Sequence, residues 1–430
     1  MFIEKLELID FRGFDRLEVT FDDKLNVFIG ANGAGKTSIL DACSLILNHY
    51  IGKLKLGSSS NHSIEQWFEP NDVNFNSKNS KIAITFKIKD KSLIYEINKN
   101  IFETGFSFQG DDFDAYVSSF IKEATDKTSF PILIYFNSSK DFSVPTDLKD
   151  EQIKKYNKHL PQLDAYIEAC NKKTYSFKEF SLWWRIEEDK ENEKRLRTDP
   201  KFRSKELNIV RNAQKKFLQI LKGEQYDSLF ISRSNPDESQ NFQISKEGDL
   251  FLKKEDKYIK VSQLSEGEKL VILLVSDIAR RLVVANPNLE NILQDGNGIV
   301  LIDEVDQHLH PSWQRNIVPA LQKTFPALQF ILTTHSPQVL SLIKDENISL
   351  IDQFKIYGVP DTYGRDSNEI LELVYEVPDS PFKGEITEIY RLLSFKQMEE
   401  AKKKRDVLAD KIGTDYNEVQ RIDQFLETVK

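Results

Sequence analysis

The chain has 430 residues, 40% hydrophobic and 30% charged, with a formal net charge of -9 and two cysteines, Cys43 and Cys170. This length suits two or three domains with ample core material, and the acidic balance argues against a wholly basic nucleic-acid wrapper. Two cysteines make neither a disulfide framework nor a zinc site, which fits a reducing cytoplasm.

The opening stretch MFIEKLELIDFRGF is charged and alternating, without the apolar core of a signal peptide. No run reaches the ~18 apolar residues of a membrane helix, so no membrane contact is expected. FIEKLELIDF and LEVTF predict strands by their alternation, and LNVFIG predicts a short buried strand. That strand runs into GANGAGKT, residues 30–37, and then into a predicted helix, KTSILDACSLILNHY. The eight residues match the phosphate-loop pattern in its proper strand–loop–helix context. Gly30, Gly33 and Gly35 let the backbone curl, so that N–H groups along the loop, including those of Asn32, Ala34 and Ser38, can turn toward phosphate oxygens. Lys36 is expected on the β- and γ-phosphates of ATP, and the Thr37 hydroxyl on Mg²⁺.

SKIAITFKIKDKSLIYEINKN predicts an antiparallel hairpin turning at KDKS, and the buried strand PILIYF closes a first lobe, residues 1–145. Residues 146–225 read as an inserted helical domain with 19 Lys+Arg against 14 Asp+Glu. Its stretch 194–216 carries nine basic residues and two acids, Asp199 and Glu206. Such a run is either a solvated helix face or an arm that meets phosphates or a partner.

A second lobe, residues 226–375, returns to alternating strands and helices. In QLSEGEKL, residues 263–270, Ser265 is placed to cap the helix that follows, with Glu268 completing a capping box. IVLIDE predicts a central strand with Asp303 and Glu304 at its C-terminal end, where open α/β sheets bind ligands. Asp303 would hold Mg²⁺ through water, and Glu304 would polarise the attacking water. His308 and His310, in VDQHLHP, fit a loop at a subunit contact better than a metal site. His335 follows the next strand, in ILTTHSP, where it could hydrogen-bond the γ-phosphate. Residues 376–430 read as a tail of two amphipathic helices. Val419, Ile422, Leu426 and Val429 form a stripe suited to core packing or to a partner's groove.

The order of phosphate loop, serine turn, carboxylates and histidine resembles that of the ABC-type ATPases. Their signature is a Leu-Ser-x-Gly turn capping a helix. LELIDFRGFDRLEVTFDDKLNVFIGANGAGKTSILDA is similar to the opening of the RecF/SMC-like branch, with Arg12 in the FRGF turn. GIVLIDEVDQHLHPSWQRNIVPALQKTFPALQFILTTHSPQVL and YGRDSNEIL resemble the PtuA-type ATPases of Septu and retron-linked anti-phage systems. The resemblance implies an ABC-type α/β ATPase head, with Arg12 at the nucleotide. It implies a head-to-tail dimer, open to higher assembly, in which Ser265 and Gly267 of one copy close on ATP held by the other. It also implies a separate HNH nuclease of the PtuB type as partner, with a retron reverse transcriptase and its nucleic acid as further partners. Glu266, Glu268 and Lys269 depart from the transporter form of the signature. Gln66 is a Q-loop candidate by order alone. No Toprim-like acidic set or HNH pattern follows His335, so no nuclease is expected within the chain. A RecF-like DNA-repair ATPase and a nucleotide-bound scaffold that does not hydrolyse ATP are the alternative readings.

Overall fold

Alternation in the first hundred residues becomes a five-stranded antiparallel sheet. β1 (Phe2–Phe11), β2 (Phe14–Thr20), β4 (Asn79–Ile88), β5 (Lys91–Asn100) and β6 (Phe106–Gln109) take the order β2-β1-β4-β5-β6. β3 (Leu25–Gly30) leaves this sheet for another, because every one of its residues is buried. A strand apolar on both faces needs cover on both faces. The computed structural model describes the chain except for residues 57–67, 104, 142–159, 171–174, 224–228, 237–241, 245–247, 255–256, 376–381, 396, 415 and 429–430.

β3 feeds α1 (Lys36–Leu56), and α2 (Asp111–Glu123) precedes β7 (Ile132–Phe136). A short parallel pair, β8 (Lys140–Asp141) and β9 (Tyr175–Ser176), leads to α3 (Lys178–Arg197) and α4 (Lys205–Lys222). A three-stranded sheet of β10 (Phe230–Ser232), β11 (Asp249–Lys254) and β12 (Lys257–Lys260) precedes α5 (Glu266–Ala285), whose residues are mostly buried. α6 (Ile292–Asp295), β13 (Gly298–Ile302), α7 (Pro311–Thr324), β14 (Leu328–Thr333), α8 (Pro337–Leu340), β15 (Ile348–Asp352) and β16 (Lys355–Gly358) follow.

The central sheet has the order β16-β15-β3-β14-β13-β7, parallel except for β16 at its edge. β14 lies between β3 and β13, so the C-terminal ends of the phosphate-loop strand and the carboxylate strand flank Thr333. Gln329 joins the two sheets. Its buried amide accepts from Ile3 N (2.8 Å) and donates to the carbonyl oxygens of Ile3 and Asp22 (both 2.8 Å). A buried amide with these partners is fully employed and fixes β1 against β14.

The chain divides into two compact units, Met1–Gly364 and Arg365–Lys430. In the second, α9 (Ser367–Tyr375) precedes α10 (Lys383–Ser394), α11 (Met398–Ile412) and α12 (Asn417–Thr428). Among the described residues beyond 381 there are therefore three helices, not two. α11 escapes a pattern reading because its buried positions are only Ala401, Leu408 and Ala409, set in a run of charges. Val419 and Ile422 are fully buried with Ile389, Leu392 and Leu393, and Leu426 packs at the edge of the same cluster. The apolar stripe is thus core of its own unit; Val429 lies outside the described residues.

Candidate active site

The loop after β3 is shaped by what a side chain would strike. A Cβ on Gly30 would lie 2.1 Å from the Ile351 carbonyl oxygen on neighbouring β15, at a φ of 145°. One on Gly35 would lie 2.5 Å from the Phe14 ring, at a φ of 111°. Both positions accept only glycine without displacement of backbone or core. Asn32 and Gly33 are exposed on the rim, Ala34 is buried, and Thr37 opens to solvent at the start of α1. Lys36 folds back over the loop. Its Nζ donates to the carbonyl oxygens of Gly30 (3.0 Å) and Ala31 (2.9 Å). Burial lowers its pKa, while Asp303, Glu304 and Asp306 oppose that shift, which places three carboxylates in electrostatic reach of the ammonium.

Asp303 and Glu304 leave the end of β13. Asp303 is 1% exposed. Thr37 Oγ1 donates to it, at 3.0 Å from Oδ2 and 3.2 Å from Oδ1, joining residues 266 positions apart. These are hard oxygen donors side by side, a hydroxyl and a carboxylate, and they suit Mg²⁺. Glu304 has a φ of 50°, a left-handed conformation that costs a non-glycine residue about 1–3 kcal/mol and persists only where its surroundings enforce it. Its N–H donates to Thr333 Oγ1 at 2.8 Å.

His335 lies one turn of chain beyond β14 and is half-buried. Burial lowers its pKa and Lys36 adds to that, against the opposing pull of Asp306, Glu304 and Asp303. Near neutral pH the ring is therefore uncharged, with one nitrogen to donate. Arg12, also at positive φ, binds Asp41 Oδ2 and Asp72 Oδ1 (2.8 Å each) and Ser38 Oγ (3.2 Å). It thereby ties the first turns of α1 to the β1–β2 turn.

Ser265 is the exposed N-cap of α5, and with Glu268 it forms the capping box read from the sequence. Gly267 faces inward: a Cβ there would lie 2.3 Å from the His308 carbonyl oxygen. His308, at a φ of 61°, pairs with Glu266 at 3.2 Å, and His310 caps α7. Both histidines thus have partners within the chain. Gln66 lies outside the described residues.

Asp306, Thr333 and Thr334 were not singled out in the sequence. Thr334 Oγ1 donates to Asp306 Oδ1 at 2.5 Å, and Thr333 Oγ1 to Asp303 Oδ1 at 2.6 Å. Their one available signal is position, three residues beyond Asp303 and immediately before His335. Three of the nine basic residues in the stretch 194–216 have an internal partner. Arg195, Arg203 and Arg211 converge on Glu191, whose side chain is completely buried, and Ser204 N–H donates to it at 2.7 Å. These three guanidinium groups compensate an internal carboxylate, while Lys194, Arg197, Lys201, Lys205 and Lys215 of the same stretch are exposed.

A family model described as "AAA domain, putative AbiEii toxin, Type IV TA system" matches residues 25–341. The chain is 30% identical to the Retron Ec83 probable ATPase of Escherichia coli, over 96% of this chain and 84% of that one. It is 29% identical to the Retron Vc95 probable ATPase of Vibrio cholerae serotype O1 biovar El Tor, over 88% of this chain and 80% of that one. The Septu protein PtuA of Bacillus mycoides (strain KBAB4) is 24% identical over 97% of this chain, which spans 52% of that protein.

Proposed function

We propose, because the chain belongs to this AAA-domain family and has retron ATPases and a PtuA among its relatives, that it is a Mg²⁺-dependent ATPase. The observation that carries this reading is the 3.0 Å hydrogen bond from Thr37 to Asp303, which brings the phosphate loop and the carboxylate strand to one point. ATP phosphates would take the loop N–H groups, and Lys36 would exchange its carbonyl partners for β- and γ-phosphate oxygens. Bound Mg²⁺ would supply charge neutralisation between those phosphates, held by Thr37 and, through water, by Asp303. Glu304 orients water in line with the γ-phosphorus and accepts its proton as the bond to the bridging oxygen breaks. Uncharged His335 donates a hydrogen bond to a γ-phosphate oxygen.

Exposed Ser265 heads a helix N-terminus, its hydroxyl held by Glu268 at 3.0 Å, which fits a turn that closes on the γ-phosphate bound by a second copy. The relatives' names place them in retron and Septu systems. On that ground the dimer is assigned to anti-phage defence, where its nucleotide state governs an associated HNH-type nuclease.

The test is paired. Lys36→Ala should reduce ATP affinity by at least ~100-fold, since it removes the cation over the phosphates. Glu304→Gln should bind ATP as the wild type does and lose turnover by ~100-fold or more. Wild-type turnover in Glu304→Gln would refute the assigned base, and no ATP binding by the wild type would refute the ATPase reading. Co-purification with a neighbouring HNH protein tests the partner.

A further inference from the structure

We propose that Thr333 is the positioning residue that sets both carboxylates, an inference resting on the ATPase reading above. Its hydroxyl is completely buried at the end of β14, between β3 and β13. It is 2.6 Å from Asp303 Oδ1 and 2.8 Å from Glu304 N. A threonine hydroxyl has one proton to donate and lone pairs to accept. The Glu304 N–H can only donate and the Asp303 carboxylate can only accept, so the direction of both hydrogen bonds is fixed. The proton goes to Asp303, and the lone pair takes the Glu304 N–H.

The main chain of the same residue completes a bracket. Val305 N–H donates to the Thr333 carbonyl oxygen at 3.0 Å. Peptide groups on both sides of Glu304 are thus captured by one residue of the adjacent strand. Glu304 sits between them at a φ of 50°, which an ordinary residue leaves unless held. On the other side, the hydrogen bond from Thr333 holds Asp303 Oδ1, and Thr37 Oγ1 lies 3.0 Å from Oδ2 and 3.2 Å from Oδ1. One hydroxyl therefore sets the rotamer of the Mg²⁺-side carboxylate and the backbone twist that aims the water-side carboxylate.

Thr333→Val keeps the branched shape and removes donor and acceptor together; Thr333→Ser keeps the hydroxyl. The valine variant should lose turnover by 10- to 100-fold, the scale on which a misplaced group slows chemistry. Its KM for ATP should stay within about twofold, because the phosphate loop is untouched. The Mg²⁺ concentration giving half-maximal ATP binding should rise, and Thr333→Ser should restore most of the turnover. Hydrogen exchange supplies a readout that does not need catalysis. The Glu304 amide should exchange slowly in the wild type and fast in Thr333→Val, with Val305 still protected by the Thr333 carbonyl. Undiminished turnover in Thr333→Val, or an unchanged Glu304 amide, overturns the proposal. So does equal damage to KM and turnover that serine does not rescue. Absence of turnover in the wild type would count against the ATPase reading alone, since the amide exchange still decides the bracket.

Discussion

Glu188 and Glu191 stand almost one helical turn apart on α3 and meet opposite treatment. Glu191 is answered by Arg195, Arg203, Arg211 and the Ser204 N–H, so its charge is compensated where water does not reach. Glu188 accepts from Ile231 N at 2.8 Å and has Arg211 only at 4.0 Å. Burial pushes its pKa up to about 7, despite the lowering effects of the Ile231 N–H and Arg211. A carboxyl that holds its proton more tightly when folded makes the native state bind more protons than the unfolded one. Stability from this group therefore falls as pH rises from the unfolded value, ~4.3, to about 7, and the penalty is complete above that. Glu188→Gln removes the titration. It should raise stability at pH 8 by ~1–2 kcal/mol relative to the wild type and bring little gain at pH 4. Thermal melts of both proteins at the two pH values check this, and an equal pH response in the two would refute it.

At the scale of elements, the serine turn separates cap from contact. Ser265 Oγ accepts from Glu268 N at 3.3 Å, which stabilises α5 by about 1 kcal/mol without any partner. The side chain is nevertheless exposed, and Gly267 beside it packs on the His308 carbonyl, in the loop that begins at Glu304. If the turn closes on a second copy, Ser265→Arg should leave ATP affinity within about threefold and abolish ATP-dependent dimerisation and most turnover. Light scattering with and without ATP decides it: a Ser265→Arg protein that still dimerises with ATP would refute a role in trans.

Elements whose information is local were legible in the sequence. Alternation marked β1, and GANGAGKT marked the loop because its glycines, lysine and threonine are contiguous. The turn at KDKS placed the β4–β5 hairpin, which closes with Ile88 opposite Lys91. Groups whose meaning lies in a distant partner were not legible. Thr333 looks like an ordinary strand residue until β13 lies beside it, and Arg211 looks like surface charge until Glu191 is buried beneath it. The tail was legible in part for a related reason: its apolar stripe was visible as core or dock, but Ile389, Leu392 and Leu393, on which it packs, were not.

For the molecule as a whole, the described residues assigned to the nucleotide, from Arg12 to His335, all fall in the unit Met1–Gly364. The unit Arg365–Lys430 has a separate core in which Val419 and Ile422 of α12 are fully buried with Ile389, Leu392, Leu393 and Leu408. Removing residues 414–430 would uncover that cluster, and each aliphatic side chain lost from burial forfeits about 1.5–3 kcal/mol. A small helical unit has little stability beyond that margin. The truncation should therefore melt the second unit while the first keeps ATP binding and its own thermal transition. Calorimetry of the full chain should show two transitions, of which the truncated chain retains the one that ATP shifts upward. Loss of ATP binding in the truncated chain would show that the units do not fold independently. Full retention of both transitions would show that α12 is dispensable to its own core. Because α12 is structural, a nuclease partner lost on truncation would not identify the stripe as its dock. Substitutions at exposed Phe395 or Phe425, which are 66% and 44% accessible, probe the surface of this unit without removing its core. If the partner docks there, Phe395→Ser and Phe425→Ser together should release it in a pull-down while ATP turnover and both transitions stay intact. Retention at full stoichiometry would show that Phe395 and Phe425 are not part of the dock.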